Sequence, residues 1–116
     1  MSSPEKQKGD RAERAFVEWL HSLGWTKAHR IRAGSPDDIG DIELHPDVVI
    51  EVKDRGKIDL PAWIRKLGLQ KANKDAAIGV IVVKKRGSAD PFEWAYVIDA
   101  ATLVNILTTR DFLRDS

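Results

Sequence analysis

The segment from Asp41 to Lys53, DIELHPDVVIEVK, constrains the fold of this chain more than any other stretch. Its side chains alternate with the period of a β-strand, which gives the segment one apolar face and one charged face. The apolar residues are Ile42, Leu44, Val48, Ile50 and Val52, and the charged residues are Asp41, Glu43, Glu51 and Lys53. Between them, His45, Pro46 and Asp47 are typical of a turn. We therefore predict a β-hairpin in which Leu44 lies opposite Val48 and Asp41 lies opposite Glu51.

Apolar residues at three- and four-residue spacings predict three helices. The first runs from Asp10 to Leu23 and stops at Gly24. The second runs from Pro61 to Lys74, with proline in its first turn. Asp99 caps the third helix, which continues through Leu107 and carries one apolar row, formed by Ala100, Leu103, Val104 and Leu107.

Three further strands are predicted outside the hairpin. A short alternating run within Trp25 to Arg32 places Arg30 and Arg32 on one face of a strand. The apolar run from Ala76 to Val83 predicts a strand buried on both faces, inside the sheet, and Trp94 to Ile98 has the character of an edge strand. The resulting order, αβββαββα, predicts an α/β domain with a mixed central sheet flanked by helices.

Length and composition narrow the class of protein. A chain of 116 residues builds one domain, 1–116, and the polar ends, 1–9 and 109–116, are expected to be loosely ordered. Zero cysteines exclude a disulfide scaffold and thiolate metal sites, and they fit a reducing cytoplasm. No apolar run approaches membrane-spanning length, so no membrane partner is expected. The net charge of +1 is small, so attraction to phosphate must come from local clusters of basic residues.

The charged face of the hairpin predicts a site for Mg²⁺ or Mn²⁺, because these ions prefer oxygen ligands. Asp41 and Glu51 supply two carboxylates, and the backbone carbonyl of Val52 supplies a third oxygen. Lys53, on the same face, can orient a water or stabilise charge on a phosphate. On the first helix, Glu13 lies at the edge of the buried stripe and can hold a ligating water or a second ion. These groups meet the requirements of metal-assisted phosphodiester hydrolysis.

Simpler interpretations exist for the same residues. A charged row on a hairpin is commonly the solvent face of a sheet, and Glu13 in a first helical turn is favoured by the helix dipole. Lys66, Lys71 and Lys74 of the second helix can be ordinary solvated surface. Basic residues of the loops and strand ends can form a phosphate-binding rim or simply aid solubility; they are Arg30, Arg32, Arg55, Lys57, Lys84, Lys85 and Arg86.

The spacing of the charged residues resembles a known superfamily. Asp41, nine intervening residues and then Glu51, Val52 and Lys53 resemble the PD-(D/E)XK nuclease signature. Glu13, within GDRAER, resembles the helix acid of the Holliday junction resolvase-like branch, which includes small phage and actinobacterial endonucleases. The resemblance extends from Gly9 to about Ile98 and includes Ser35, Trp63, the strand from Ile78 to Val83 and the basic segment from Lys84 to Gly87.

The resemblance implies a restriction-endonuclease-like fold and Mg²⁺ or Mn²⁺ dependence. It makes Glu13, Asp41, Glu51 and Lys53 the catalytic residues and adds Ser35 and Gln70 to the nucleic-acid-binding set. It also implies a homodimer that cuts branched DNA in the cytoplasm of a bacterial cell or a phage-infected host, without a small-molecule cofactor. The alternatives are a non-catalytic nucleic-acid-binding protein on the same fold, or a nuclease acting on RNA or linear DNA.

The chain departs from the family pattern in two places. Gly40 precedes Asp41 where the family name calls for proline, and a literal Pro-Asp pair occurs earlier, at Pro36 and Asp37. We prefer Asp41 because only this register places it opposite Glu51, and Asp37 and Asp38 are secondary candidates. Gln70 is followed at position 74 by lysine, so the glutamine–tyrosine motif of the exonuclease-like branch is absent.

Overall fold

A computed structural model describes residues 3–32, 34, 36–110 and 112 of the chain. The predicted order of elements, αβββαββα, is confirmed, and the domain combines a five-stranded mixed sheet with three helices. The elements are α1 (Pro4–Ser22), β1 (His29–Arg30), β2 (Ile42–Glu43), β3 (Val48–Lys53), α2 (Leu60–Lys74), β4 (Ile78–Val83), β5 (Ala95–Ile98) and α3 (Ala100–Thr109). A 3-10 turn, Pro91–Glu93, precedes β5.

The strands lie in the order β1-β2-β3-β4-β5. Only the central pair, β3 and β4, is parallel, and the other neighbours are antiparallel. Ile42 lies opposite Ile50, which is the predicted register of the hairpin. The N–H of Asp41 also donates to the carbonyl of Ile50 at 2.8 Å, which holds Asp41 against β3. β5 is an edge strand and β4 lies inside the sheet, as predicted.

The two faces of β3 pack against different helices. Ile50 and Val52 lie in one buried cluster with Ala12, Phe16 and Leu20 of α1, as the apolar face of the hairpin predicts. Val49, on the opposite face, packs with Leu67 of α2 and Ile81 of β4. The charged face of the hairpin is therefore covered by α2. This arrangement contradicts the interpretation that the charged row is a solvent-facing surface of the sheet.

Helix α1 begins at Pro4, so the expectation of a loosely ordered segment before Asp10 is wrong for residues 4–9. The Ser3 side chain accepts a hydrogen bond from the Lys6 N–H at 3.2 Å, and Pro4 occupies the first turn. Both features favour a helix start without any apolar burial. Apolar periodicity misses this start because residues 4–9 contain no large apolar side chain.

Helix α3 is capped by Asp99, as predicted, but its apolar row does not face the core. Leu103, Val104 and Leu107 are 46%, 59% and 43% exposed. The buried residue is Thr102, whose hydroxyl accepts from the N–H of Gly79 at 2.8 Å and donates to its carbonyl at 3.2 Å. These polar contacts fix the helix on β4 and decide which side faces the sheet.

Strand β1 is shorter than predicted. It contains only His29 and Arg30, so Arg32 lies beyond it and does not share a strand face with Arg30. In the described part of the chain, no helix has both the length and the apolar character needed to cross a membrane.

Candidate active site

Asp41 and Glu51 meet at the centre of the sheet, as the register predicts. The Asp41 carboxylate accepts a hydrogen bond from the backbone N–H of Val52 at 2.8 Å, and its side chain is hydrogen-bonded to that of Glu51. Burial, together with the hydrogen bond and negative charge of Glu51, raises the pKa of Asp41 to about 8. Two adjacent carboxyl groups that resist joint ionisation share a proton at neutral pH. A divalent cation would replace that proton.

Helix α2 supports Glu51 from the covered side. Glu51 is only 5% exposed, and its Oε1 accepts a hydrogen bond from Gln70 Nε2 at 2.6 Å. The same Gln70 nitrogen donates to Asp38 at 2.9 Å, while Lys66 Nζ lies 3.4 Å from the Glu51 Oε1. Desolvation lowers the pKa of Lys66, but the Glu51 and Asp38 carboxylates outweigh it and raise the pKa overall. Glu51 is therefore held in one orientation by an amide and an ammonium.

The contacts of α2 follow a four-residue spacing. Lys66 and Gln70 contact Glu51, and Lys74 pairs with Glu43 at 2.8 Å. Residues four apart on a helix lie on one face, so the charged face of the hairpin meets a matching polar row. The side chains of Lys71 and Lys74 are 13% and 7% exposed and both form ion pairs, so the simpler interpretation as solvated surface is wrong for these two residues.

Val52 and Lys53 contribute the remaining predicted groups. Because the Val52 N–H points to Asp41, and because the N–H and C=O of one strand residue point to the same edge, its carbonyl also faces the Asp41 side. Lys53 Nζ lies over the Trp63 ring, 5.5 Å from the centroid. A cation–π contact of this kind holds the ammonium without neutralising it. Lys53 therefore keeps its charge available to an anion bound near Asp41 and Glu51.

Glu13 lies near Asp41 and Glu51, but its carboxylate already forms an ion pair with Arg30. Its Oε1 accepts from Arg30 Nε at 3.0 Å, and Arg30 Nη2 also pairs with Asp10 at 2.8 Å. Burial raises the pKa of Glu13, although the Arg30 guanidinium opposes this effect. In this arrangement Glu13 is close enough to influence Glu51 and Asp41 electrostatically, but its nearest partner is a guanidinium.

An open cleft of about 550 Å³, which we call the Asp41 cleft, brings the predicted catalytic groups together. Its lining residues are Ser3, Lys6, Gly9, Asp10, Glu13, Asp41, Glu51, Val52, Lys53, Asp54, Arg55 and Lys66. The acids come from α1, the start of β2 and β3, so the site depends on the tertiary fold. All four predicted catalytic residues, Glu13, Asp41, Glu51 and Lys53, line this cleft.

The predicted nucleic-acid-binding residues separate into several groups. Arg30 and Arg32 line a neighbouring cleft of about 460 Å³ with Asp37 and Asp38. Lys57 and Lys85 are exposed on the surface. Arg55, Lys84 and Arg86 line a third cleft, described below. Ser35 lies outside the described residues.

Gln70 does not fit its predicted role in contacting nucleic acid, because it is 1% exposed and both hydrogen bonds of its nitrogen go to carboxylates. Its burial between α2 and β3 makes it a positioning residue for Glu51. Asp38, Lys66 and Trp63 also support the site; from the sequence, only Asp38 was a candidate site acid, and Lys66 was interpreted as possible solvated surface. The four-residue spacing of Lys66, Gln70 and Lys74 is a signal that could have indicated one polar face on this helix.

Gly40 has a backbone conformation that excludes proline before Asp41. Its φ is +104°, and a Cβ at this position would lie 2.8 Å from the carbonyl oxygen of Ile50. Proline, which fixes φ near −65°, cannot adopt this conformation. Glycine therefore permits the close approach that directs Asp41 toward Glu51.

Gly40→Ala is expected to lower the free energy of unfolding by about 3 kcal/mol, since a left-handed backbone with Cβ costs about 1–2 kcal/mol and the clash with a backbone oxygen adds to it. The measurement is the midpoint of urea unfolding. Gly24→Ala is the matched control, because Gly24 has φ +108° but no atom within 4 Å of an added Cβ. Equal losses in the two variants would show that the approach of Ile50 imposes no constraint.

The donor set of the Asp41 cleft suits a hard cation with several water ligands. In the described ranges 3–32, 34, 36–110 and 112, no group of three or more histidine, cysteine, aspartate or glutamate side chains is arranged to hold a metal ion. Asp41, Glu51 and the Val52 carbonyl provide oxygen atoms only. Mg²⁺ commonly binds through one or two carboxylates, waters and substrate phosphates, so the residues present fit such an ion.

No family model matches the chain, and neither a curated protein nor a solved structure matches it.

Proposed function

We propose that this protein is a Mg²⁺- or Mn²⁺-dependent endonuclease that hydrolyses phosphodiester bonds in branched DNA. The observation that carries the proposal is the contact between Asp41 and Glu51 inside an open cleft, with the Asp41 pKa raised to about 8. Adjacent buried carboxyl groups destabilise a fold unless a proton or cation lies between them. A role in binding a metal ion during catalysis would explain why the protein contains this destabilising pair of carboxyl groups.

The architecture supports the restriction-endonuclease-like fold as part of the same proposal. Glu51, Val52 and Lys53 lie at the end of the central strand β3, between α1 on one face and α2 on the other. The hairpin partner contributes Asp41, and the preceding helix contributes Glu13. The branched substrate and the homodimer follow from the sequence resemblance to junction resolvases.

Asp41, Glu51 and the Val52 carbonyl would hold the metal ion, and Glu13 would contact it through water after releasing Arg30. The bound ion would supply positive charge to the scissile phosphate and increase the acidity of a water molecule. Lys53 stabilises the negative charge that grows on the phosphate oxygens as water attacks and the P–O bond to the sugar breaks. Gln70 and Lys66 keep the Glu51 carboxylate oriented throughout.

A second candidate is a non-catalytic nucleic-acid-binding protein on the same fold. The observation that favours it is the engagement of Glu13 with Arg30, together with Lys66 beside Glu51, because cations of the chain already neutralise part of the acidic site. The two candidates differ in one respect, since only the endonuclease requires a divalent ion in the Asp41 cleft.

A panel of labelled substrates tests the proposal directly. Purified protein is incubated with a four-way junction, a flap, a linear duplex, a single strand and RNA, each with Mg²⁺, Mn²⁺ or EDTA. We expect metal-dependent cleavage of the junction in preference to the linear duplex. Cleavage of RNA or of linear duplex alone would show that the substrate is not branched DNA. Binding without any cleavage would favour the non-catalytic nucleic-acid-binding protein.

A further inference from the structure

A strongly basic cleft lies beside the Asp41 cleft. Its volume is about 530 Å³, and its charged lining residues are Lys8, Arg11, Asp54, Arg55, Lys84 and Arg86. Five positive charges against one negative charge give a local net charge of +4, while the whole chain carries only +1. The surface of this cleft is therefore more positive than the chain as a whole.

The guanidinium groups of the basic cleft are available to a ligand. Among the described side chains, Arg11, Arg55 and Arg86 have no carboxylate partner, and all three are exposed. Lys8 lies 3.9 Å from Asp54, a long ion pair that a stronger anion can replace. Unpaired guanidinium groups gathered around one concavity are suited to phosphate groups, which they bind through paired hydrogen bonds.

The early start of α1 builds one wall of this cleft. Lys8 and Arg11 project from the first turns of the helix, while Arg55, Lys84 and Arg86 come from the loops that follow β3 and β4. Parallel neighbouring strands end at the same edge of a sheet, so these two loops lie side by side. The cleft thus exists only because helix, sheet and loops converge.

The basic cleft and the Asp41 cleft adjoin each other. Both are lined by Asp54 and Arg55, the two residues that directly follow Lys53. A polymer with a phosphate at each unit can therefore occupy both clefts, with one phosphate near Lys53 and the next ones among the arginines. A small anion would fill only one of them.

We infer that the basic cleft binds the phosphodiester backbone of the DNA next to the scissile phosphate and so guides one strand into the Asp41 cleft. The inference rests on the proposed function for the identity of the polymer. An anionic membrane is a poorer fit, because the charges line a concave surface and leave a flat membrane little contact. The cleft contributes affinity and strand direction, while the chemistry stays with Asp41, Glu51 and Lys53.

Fluorescence anisotropy with a fluorescein-labelled four-way DNA junction in EDTA tests the inference without cleavage. Arg11→Glu and Arg86→Glu are each expected to weaken binding more than about 10-fold, and Arg11→Gln is expected to reduce the slope of log Kd against log salt by about one. Arg110→Glu is the matched control, because Arg110 is exposed at the end of α3 and does not line the basic cleft. Melting temperatures of all variants check the fold.

Unchanged binding in Arg11→Glu and Arg86→Glu would overturn the inference, and so would an equal loss in Arg110→Glu, which would show a general charge effect. Binding of the wild type to anionic phosphatidylserine vesicles but not to DNA would also overturn it. With Mg²⁺ present, the cleft variants should raise KM and keep kcat within about threefold. If the wild type does not cleave, the proposed function fails, while the anisotropy result still decides the role of the cleft.

Discussion

Glu51→Gln is expected to reduce Mg²⁺-dependent cleavage roughly 10³-fold while the protein remains folded. Glutamine has the shape of glutamate, and its amide oxygen can still accept the hydrogen bond that Gln70 donates to Glu51 at 2.6 Å. The substitution removes one negative charge from the Asp41–Glu51 pair, so the pair can no longer balance a divalent cation. The measurement is the single-turnover rate on a labelled junction at saturating protein.

Lys53→Met should cause a loss of similar size, because methionine keeps the contact with Trp63 but removes the ammonium. In contrast to Glu51→Gln, it should leave metal affinity nearly unchanged. The two variants therefore separate metal binding from charge stabilisation.

Glu43→Gln is the matched control for both substitutions. Glu43 lies on the same charged face of the hairpin but pairs with Lys74 and does not line the Asp41 cleft. This variant should cut at the wild-type rate after correction for any change in stability. Full activity in Glu51→Gln would contradict the assignment of Glu51 as a metal ligand, whatever the control shows.

The second large effect concerns pH and stability in the absence of metal. The pKa of Asp41 is raised from 3.8 to about 8, so the folded protein keeps a proton that the unfolded chain has released over this pH range. The stability contributed by this proton is fully present below the unfolded pKa and is lost as pH rises through about 8. In EDTA the protein should therefore lose stability progressively between about pH 4 and about pH 8, and this group should cause no further loss at pH 9.

Asp41→Asn should remove this loss, because asparagine carries no proton to release and can still donate a hydrogen bond to Glu51. One pKa unit corresponds to about 1.4 kcal/mol, so even a quarter of the shift would raise the melting temperature by about 5 °C at pH 9. The same variant should lose metal-dependent cleavage. Thermal unfolding at pH 5 and pH 9 in EDTA is the measurement.

Asp37→Asn provides the control for Asp41→Asn, since Asp37 is exposed and lies in the loop that leads to the hairpin. Its melting temperature should follow that of the wild type at both pH values. A variant Asp41→Asn that is less stable than the wild type at pH 9 would show that the carboxyl pair is not strained in the metal-free protein.

Local patterns predicted the hairpin well for a physical reason. A two-residue period determines which side chains share a face, and the His45-Pro46-Asp47 turn sets the pairing of Ile42 with Ile50, so the contact between the Asp41 and Glu51 side chains follows from nearby residues alone. The same argument selected Asp41 over Asp37. The order of helices and strands was also predictable, because each long element has its own period.

The contacts across the fold were not predictable in this way. Periodicity shows that Glu51 shares a face with Asp41, but it does not show that α2 covers this face or that Gln70 holds Glu51. The exposed row of α3 is a second example, because the polar contacts of Thr102 with Gly79 override the apolar pattern. Arg30 illustrates the same limit, since only the packing of α1 beside β1 brings it to Glu13 and Asp10.

The central claim is that the Asp41–Glu51 pair binds a divalent metal ion, and calorimetric titration of Mn²⁺ into the protein at pH 7 tests it most directly. Performed in buffers of different ionisation enthalpy, the titration should show one site that releases about one proton on binding, as expected for a carboxyl pair that shares a proton. Binding should be weakened at least about 100-fold in Asp41→Asn and Glu51→Gln and be retained in Glu43→Gln. Absence of Mn²⁺ binding in the wild type, or equal affinity in Glu51→Gln, would contradict the claim.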